Sequence, residues 1–332
     1  MKVACFSTKS YDKESFDLIL PKHAHDFTYL EAKLDRHTVS LAKGFDAICT
    51  FVNDHLDAPV LKKLNQLGVK NIVLRCAGYN QVDLETADEL GFKICRVPAY
   101  SPEAVAEHAF AMILTLSRKT HKAYNRVRDN NYSLEGLAGF NLHGKTVGII
   151  GTGAIGHAFS KIALGFGCKV LAYDLIEDKA LKSQGVEYLT LDELLSQSQI
   201  ISLHCPLTPG TKHLVNASTL EQMPDGVMLI NTSRGALIET KSVIKALESR
   251  KLAYLGIDVY EQEEDLFFKN LSEEILMDEQ IARLMTFPNV LITGHQAFLT
   301  KEALAEIAKT TLQNLDAIAS GSKLVNAIKY SY

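Results

Sequence analysis

A chain of 332 residues exceeds what one hydrophobic core usually organises, so two domains are expected. Apolar residues make up 47% and charged residues 22%, a balance that excludes a disordered or purely solvating chain. With 35 basic against 39 acidic side chains the net charge is −4, which argues against nucleic acid or an anionic membrane surface as a partner.

The six cysteines (Cys5, Cys49, Cys76, Cys95, Cys168, Cys205) form no CxxC and lie mostly in apolar, strand-like surroundings. They read as reduced core residues of a cytoplasmic protein, and not as a disulfide or zinc framework. The opening MKVACFSTKS has too short an apolar run for a signal peptide, and no uninterrupted apolar stretch reaches membrane-spanning length.

In chain order, short apolar runs alternate with amphipathic segments. Val3–Phe6, Ala47–Phe51, Ile72–Leu74 and Phe92–Val97 read as strands, with helices near 12–20, 57–67 and 83–90. Gly68 and Gly91 close the second and third helices. The alternation predicts a small parallel-sheet domain. Its notable loop, Arg75 to Asn80, follows a strand directly, on the sheet edge where ligands usually bind. His23 and His25 form an HxH, but no further metal ligand is evident, so they read as surface residues and no metal is expected.

Pro98, Ser101 and Pro102 mark a boundary, with Ser101 a good N-cap and Pro102 suited to the first helical turn. The helix from Glu103 to about Lys119 is apolar around most of its circumference, so it should be buried between layers; Glu107 and His108 within it read as a satisfied buried pair. Asn125 to Phe140 is polar and reads as a connecting segment.

Lys145 to Asp174 is the most informative stretch. An apolar strand (Val147–Ile150) runs into GTGAIG, with Gly151, Gly153 and Gly156; a helical pattern follows, then a second strand, Val170–Tyr173, ending in Asp174. Gly151 permits a tight turn, Gly153 leaves room for a pyrophosphate, and Gly156 lets the helix lie close on the sheet. The helix N-terminus offers free N–H groups to phosphate oxygens. Asp174, 18 residues beyond Gly156, can accept hydrogen bonds from an adenosine ribose. Leu175, Ile176, Glu177 and Asp178 follow with no arginine to neutralise a 2′-phosphate, which favours NAD over NADP.

Beyond Asp174 the alternation resumes. Strands are expected at Val186–Leu189, Ile200–His204, Val227–Asn231, Leu252–Val259 and Val290–Thr293, with helices near 191–196, 217–222 and 239–249. A last helix, Lys301 to Ile318, could return the chain to the first domain. Arg234, Asp258 with the acidic run Glu261–Asp265, and His295 each fall just past a strand. In an open parallel sheet all such ends share one edge, where ligands bind. Histidine suits protonation of a developing alkoxide, a neighbouring carboxylate would raise its pKa, and arginine can grip an α-keto carboxylate with two parallel donors. Spacing alone does not choose among Glu261, Glu263 and Glu264.

GTGAIG with Asp174, SLHCPLTPGTKHLVN, NTSRGALIE, GIDVYEQEEDLFF and TGHQAF, together with MKVACFSTKSYD, RCAGYNQVDL and RVPAYSPEAVAEHA, resemble the NAD-dependent D-2-hydroxyacid dehydrogenases over nearly the whole chain. Within that family they are most similar to the fermentative D-lactate dehydrogenases of bacteria. The resemblance implies an α/β protein in which a Rossmann-type NAD-binding domain, residues 101–298, is inserted into a smaller flavodoxin-like substrate domain, residues 1–100 plus 299–332, with the active site in the cleft between them. It places the carboxylate-binding arginine on Arg234, the acid/base on His295 and its supporting glutamate on Glu263. Ala77 and Gly78 would offer backbone amides to the substrate, with Tyr100 and Phe298 shaping a small pocket. Ala154 and Ile155 would border the pyrophosphate turn, His204, Cys205 and Pro206 the nicotinamide, with Asp258 at its carboxamide and Asn231 close by. The implied activity is reversible NADH-dependent reduction of pyruvate to D-lactate. A dehydrogenase for a larger acid such as 2-hydroxyisocaproate is the alternative, and an NAD-sensing regulatory protein a more distant one. A homodimer is implied, in some members a tetramer, with the helix at 103–119 and the polar segment after it as candidate contacts.

Overall fold

A computed structural model describes residues 1–328. The chain divides into two compact units, one comprising Met1–Ser101 and the segment from Leu299 on, the other Pro102–Phe298.

In the first unit, β1 (Lys2–Cys5), α1 (Ser10–Ile19), β2 (Asp26–Tyr29), β3 (Ala47–Thr50), α2 (Ala58–Gln66), β4 (Asn71–Leu74), α3 (Leu84–Glu89) and β5 (Lys93–Arg96) build a five-stranded sheet of order β2-β1-β3-β4-β5. Every pair is parallel, and the order is that of a flavodoxin-like sheet. The central strands are buried on both faces, which is why they read as continuous apolar runs. The terminal helix, Lys301–Ser320, packs Ala308, Leu312, Leu315 and Ile318 onto this core, and Asn326 and Ile328 then pair with the edge of β5.

Strand β2 escapes sequence reading because it is an edge strand of four residues, with only Phe27 and Tyr29 turned inward. Its entry also corrects the expectation for the histidine pair. His23 and His25 are not surface residues: their side chains are 14% and 2% exposed, and both rings clamp the carboxylate of Asp316 on the terminal helix, at 2.6 and 2.9 Å. An isolated HxH shows nothing of a carboxylate that lies nearly three hundred residues away.

The second unit opens with α4 (Pro102–Arg118) and α5 (Thr120–Arg128), so the first part of the polar segment after Asn125 is helical. There follow β6 (Thr146–Ile150), α6 (Ala154–Gly165), β7 (Lys169–Tyr173), α7 (Lys179–Ser183), β8 (Glu187–Tyr188), α8 (Leu191–Gln197) and β9 (Ile200–Leu203). Then come α9 (Ala217–Gln222), β10 (Val227–Asn231), α10 (Thr240–Glu248), β11 (Leu252–Ile257), α11 (Glu279–Thr286) and β12 (Val290–Ile292). All seven strands are parallel, in the order β12-β11-β10-β9-β6-β7-β8. The chain winds outward in both directions from β6, so the switch point lies between β6 and β9. Apolar side chains cover both faces: Phe110, Met112, Ile113 and Leu116 of α4 pack with Phe159 of α6 on one, and Leu220, Val243, Leu247 and Leu284 of the later helices on the other. Helix α4 is thus largely buried, as its composition suggests, but Glu107 is exposed while His108 turns inward, so the two are not a buried pair. Successive helical residues point about 100° apart and do not meet. Among the described residues no helix is long and apolar enough to cross a membrane.

Candidate active site

The glycine turn sits at the switch point. Gly151 leaves β6 with φ +96°, and a Cβ there would lie 2.6 Å from the backbone nitrogen of Cys205. A Cβ on Gly156 would lie 1.9 Å from the carbonyl oxygen of Gly151, so helix and turn can approach only without a side chain. Gly153 differs: a Cβ would meet nothing within 4 Å. Its glycine is therefore not required by packing inside the protein, which fits a surface reserved for a ligand. Gly153 is the N-cap of α6 and makes no side-chain cap, so the first-turn N–H groups near Ala154 and Ile155 remain available to an anion. The hydroxyl of Thr232, buried at the same sheet edge, has no hydrogen-bond partner among the described residues. These features fit a bound dinucleotide.

Asp174 follows β7 directly. Its Oδ2 accepts from the Thr152 N–H at 2.6 Å and the Thr152 hydroxyl at 3.2 Å, while Oδ1 accepts from the Ile176 N–H at 3.3 Å. At the end of β9, the His204 ring packs tilted against that of Phe159, centroids 4.7 Å apart, and its Nε2 meets the Ser202 hydroxyl at 2.9 Å. Burial drives its pKa down to about 3, so the ring is neutral. Burial likewise pushes the Cys205 thiol up to about 11. Pro206, next in the chain, is exposed.

Three further strand ends carry charged groups along the same edge. After β10, Asn231 folds the loop on itself, accepting from the Ser233 N–H at 3.0 Å and donating to the Arg234 carbonyl at 2.9 Å. The Arg234 guanidinium is half-buried and donates from Nη1 to the Ser233 carbonyl at 2.7 Å. A Cβ on Gly235 would fall 2.1 Å from the Tyr260 carbonyl, so the Arg234 loop presses directly against the acidic loop beyond β11. This approach requires glycine at 235, and its one signal in the sequence is a glycine straight after the strand-end arginine.

In that acidic loop Glu263 reaches the histidine. Glu263 Oε1 lies 2.8 Å from His295 Nδ1, and its Oε2 accepts from the Tyr260 N–H at 2.9 Å. Glu261 points elsewhere, bonded to His213 Nε2 at 2.6 Å and to the Thr240 hydroxyl at 2.9 Å. Burial raises its pKa, but these hydrogen bonds outweigh burial and leave it lowered. His295 itself adopts φ +54°, a sparsely populated conformation for a residue with a side chain. Asp258 holds it there. Its carbonyl accepts the His295 N–H at 2.7 Å, and its carboxylate accepts from Gln296 N, Ala297 N and the Thr293 hydroxyl, with His108 Nε2 at 3.4 Å. Burial pushes the Asp258 pKa up, and this set of donors more than reverses it. Asp258 has no exposed surface, and its carboxylate braces the His295 loop. His295 Nε2 has no hydrogen-bond partner among the described residues. Phe298, the last residue of this unit, is 6% exposed.

In the first unit, Ala77 and Gly78 lie in the loop past β4. The Ala77 carbonyl accepts from Arg96 Nη1 at 2.6 Å and that of Gly78 from Cys76 Sγ at 3.2 Å. Tyr100 is half-buried. Arg75, at the head of the loop, is 1% exposed; it donates to the carbonyls of Phe6 and Ser7 and pairs with Asp12 at 3.2 Å. It is spent on structure.

A glycine-turned strand-to-helix junction at the switch point, with a histidine–carboxylate pair and an arginine on the same sheet edge, fits a nicotinamide-dependent oxidoreductase of the doubly wound class. Comparison with known proteins is more specific. The family model described as "D-isomer specific 2-hydroxyacid dehydrogenase, NAD binding domain" matches residues 110–297. The chain is 55% identical to 2-hydroxyacid dehydrogenase A of Aspergillus oryzae, over 95% of this chain and 92% of that one. It is similar to the solved apo structure of D-lactate dehydrogenase from Escherichia coli, at 49% identity and TM-score 0.91 over 99% of this chain and 100% of that one. It is also similar to the structure of the pyruvate reductase of Chlamydomonas reinhardtii, at 45% identity and TM-score 0.93 over 98% of both chains. The chain belongs to the D-isomer specific 2-hydroxyacid dehydrogenases and is an NAD-dependent oxidoreductase.

Proposed function

We propose that the chain is a D-lactate dehydrogenase that interconverts pyruvate and D-lactate. Two supports come from the similarity to proteins named for this chemistry and from the charge arrangement at the sheet edge. The observation that carries the mechanism is the 2.8 Å contact between Glu263 and His295 Nδ1, which leaves Nε2 to face a substrate oxygen. The bound coenzyme supplies hydride at its nicotinamide. His295 gives its Nε2 proton to the carbonyl oxygen as that oxygen becomes an alkoxide, and takes it back in the reverse direction. Glu263 fixes the tautomer and the plane of the ring, and stabilises the charge it carries. Arg234 pairs with the substrate carboxylate through two parallel donors, a charge-assisted contact contributing roughly 1.5–3 kcal/mol. Gly151, Gly153, Ala154, Ile155 and Gly156 hold the pyrophosphate, Asp174 the ribose, and His204 to Pro206 with Asn231 border the nicotinamide.

Adding pyruvate to the protein with NADH should consume NADH and yield the D enantiomer, with kcat/KM for pyruvate above that for 2-ketoisocaproate or phenylpyruvate. A strong preference for the bulkier acid overturns the pyruvate assignment. No NADH consumption with any 2-keto acid favours a regulatory role.

We further propose a cytoplasmic homodimer. All six cysteines are free and buried, as suits a reducing compartment. Tyr124, Val127, Tyr132 and Leu134 are 50–82% exposed within one short stretch at and beyond α5, an apolar surface that a second copy would cover. Light scattering on the purified chain tests this; a monomeric mass sinks it.

A further inference from the structure

Three carboxylates crowd the end of β7, and their surroundings differ. Glu177 is paired with Lys182 at 2.5 Å, and Asp178 with His157 Nδ1 at 2.7 Å. Asp174 has no cationic partner among the described residues; it is held only by Thr152 and the Ile176 N–H. Its negative charge is therefore the one left uncompensated toward an approaching ribose or 2′-phosphate.

The Thr152 hydroxyl that touches Asp174 is itself fixed from the far side. Tyr188, on the edge strand β8, donates its hydroxyl to Thr152 Oγ1 at 2.9 Å and accepts the Asp178 N–H at 2.9 Å. The directions are consistent along the row: Asp178 N–H to Tyr188, Tyr188 to Thr152, Thr152 to Asp174 Oδ2. Each hydroxyl gives one proton and accepts one, so none can rotate without leaving a half-buried polar group unsatisfied. With Oδ2 tied into the row, Oδ1 keeps the remaining acceptor capacity. The carboxylate is thus set in one orientation before any coenzyme arrives.

We propose that Tyr188, acting through Thr152, is a positioning residue that aims the Asp174 carboxylate and thereby sets the preference for a dinucleotide lacking a 2′-phosphate. This rests on the reading that Asp174 faces the adenosine ribose. Neither hydroxyl touches the reacting atoms. Their effect is on which coenzyme is held and how tightly.

The test is direct binding by the full-length protein, read from coenzyme fluorescence; the chain has no tryptophan to interfere. Tyr188→Phe keeps the ring and its packing and removes only the hydroxyl. It should weaken NADH by about 3- to 10-fold, the net worth of one hydrogen bond, and change NADPH less, so that the NADH/NADPH affinity ratio falls. Thr152→Ala should lower the ratio in the same direction, and it decides the question if Tyr188→Phe does not fold. Asp174→Asn is the control. An unchanged ratio in both hydroxyl variants, with a lowered ratio in Asp174→Asn, overturns the relay and leaves the ribose reading standing. An unchanged ratio in Asp174→Asn overturns that reading itself. Equal weakening of both coenzymes in the hydroxyl variants means general loosening of the turn and also overturns the proposal.

Discussion

His295 and Glu263 lie 32 positions apart in sequence and meet at 2.8 Å, Nδ1 to Oε1, at the ends of two adjacent parallel strands. The glutamate is held by the Tyr260 N–H and the histidine by the Asp258 carbonyl, so both partners are fixed from the same loop past β11. A ring pinned at one nitrogen can deliver a proton only from the other.

Replacing His295 with Ala should lower kcat by about 10²–10⁴-fold, the usual contribution of a positioned acid. Glu263→Gln should cost less, since the amide can still accept at Nδ1. With the glutamate's only proposed effect routed through the histidine it touches, the double variant should be no slower than His295→Ala alone. Steady-state NADH oxidation measures all three; additive losses would mean that Glu263 acts independently.

Glu261→Gln probes the neighbouring acid. Glu261 braces His213 and Thr240 across the loops past β9 and β10, so its loss should lower the urea midpoint and leave kcat within a few-fold of wild type. A kcat loss as large as that of Glu263→Gln would contradict the assignment.

The glycine turn separates folding from binding. Gly156→Ala places a Cβ against the Gly151 carbonyl and should destabilise the coenzyme-free protein by about 1–3 kcal/mol or more. Gly153→Ala meets nothing and should unfold at the wild-type urea concentration, yet bind NADH far more weakly. Equal NADH affinity in Gly153→Ala would remove the pyrophosphate from this turn.

His204 should make the coenzyme-free protein less stable in acid. The unfolded chain takes up a proton near pH 6.5, whereas the folded ring does so only at about 3. Below pH 6.5 the unfolded state therefore binds more protons, and stability falls as pH drops toward 3, by up to about 1.4 kcal/mol per unit. His204→Asn should flatten the slope of unfolding free energy between pH 6.5 and 4.5. An equal slope in the variant would show that other groups carry it.

Cys205, with its thiol pushed up to about 11, should resist alkylation at pH 7.5 in the native protein and react on unfolding. Rapid native labelling, followed by mass spectrometry of the modified peptide, would show that the thiol is neither buried nor unactivated.

Much of this was legible in the linear chain. Buried parallel strands are apolar runs because both faces are covered, and Val147–Ile150 with GTGAIG and Asp174 carries its chemistry in a short local unit where spacing is geometry. Strand-end placement of Arg234 and His295 followed from the same rule, since parallel strands put their ends on one edge. What sequence alone could not decide was which of three nearby glutamates turns toward the histidine, because loop residues have no fixed period. Nor could it show that the Asp258 carboxylate braces the His295 loop, that Gly235 lets two loops touch, or that Asp316 clamps His23 and His25. Each is a contact between segments remote in the chain, and such contacts exist only once the sheet has fixed the distance between them.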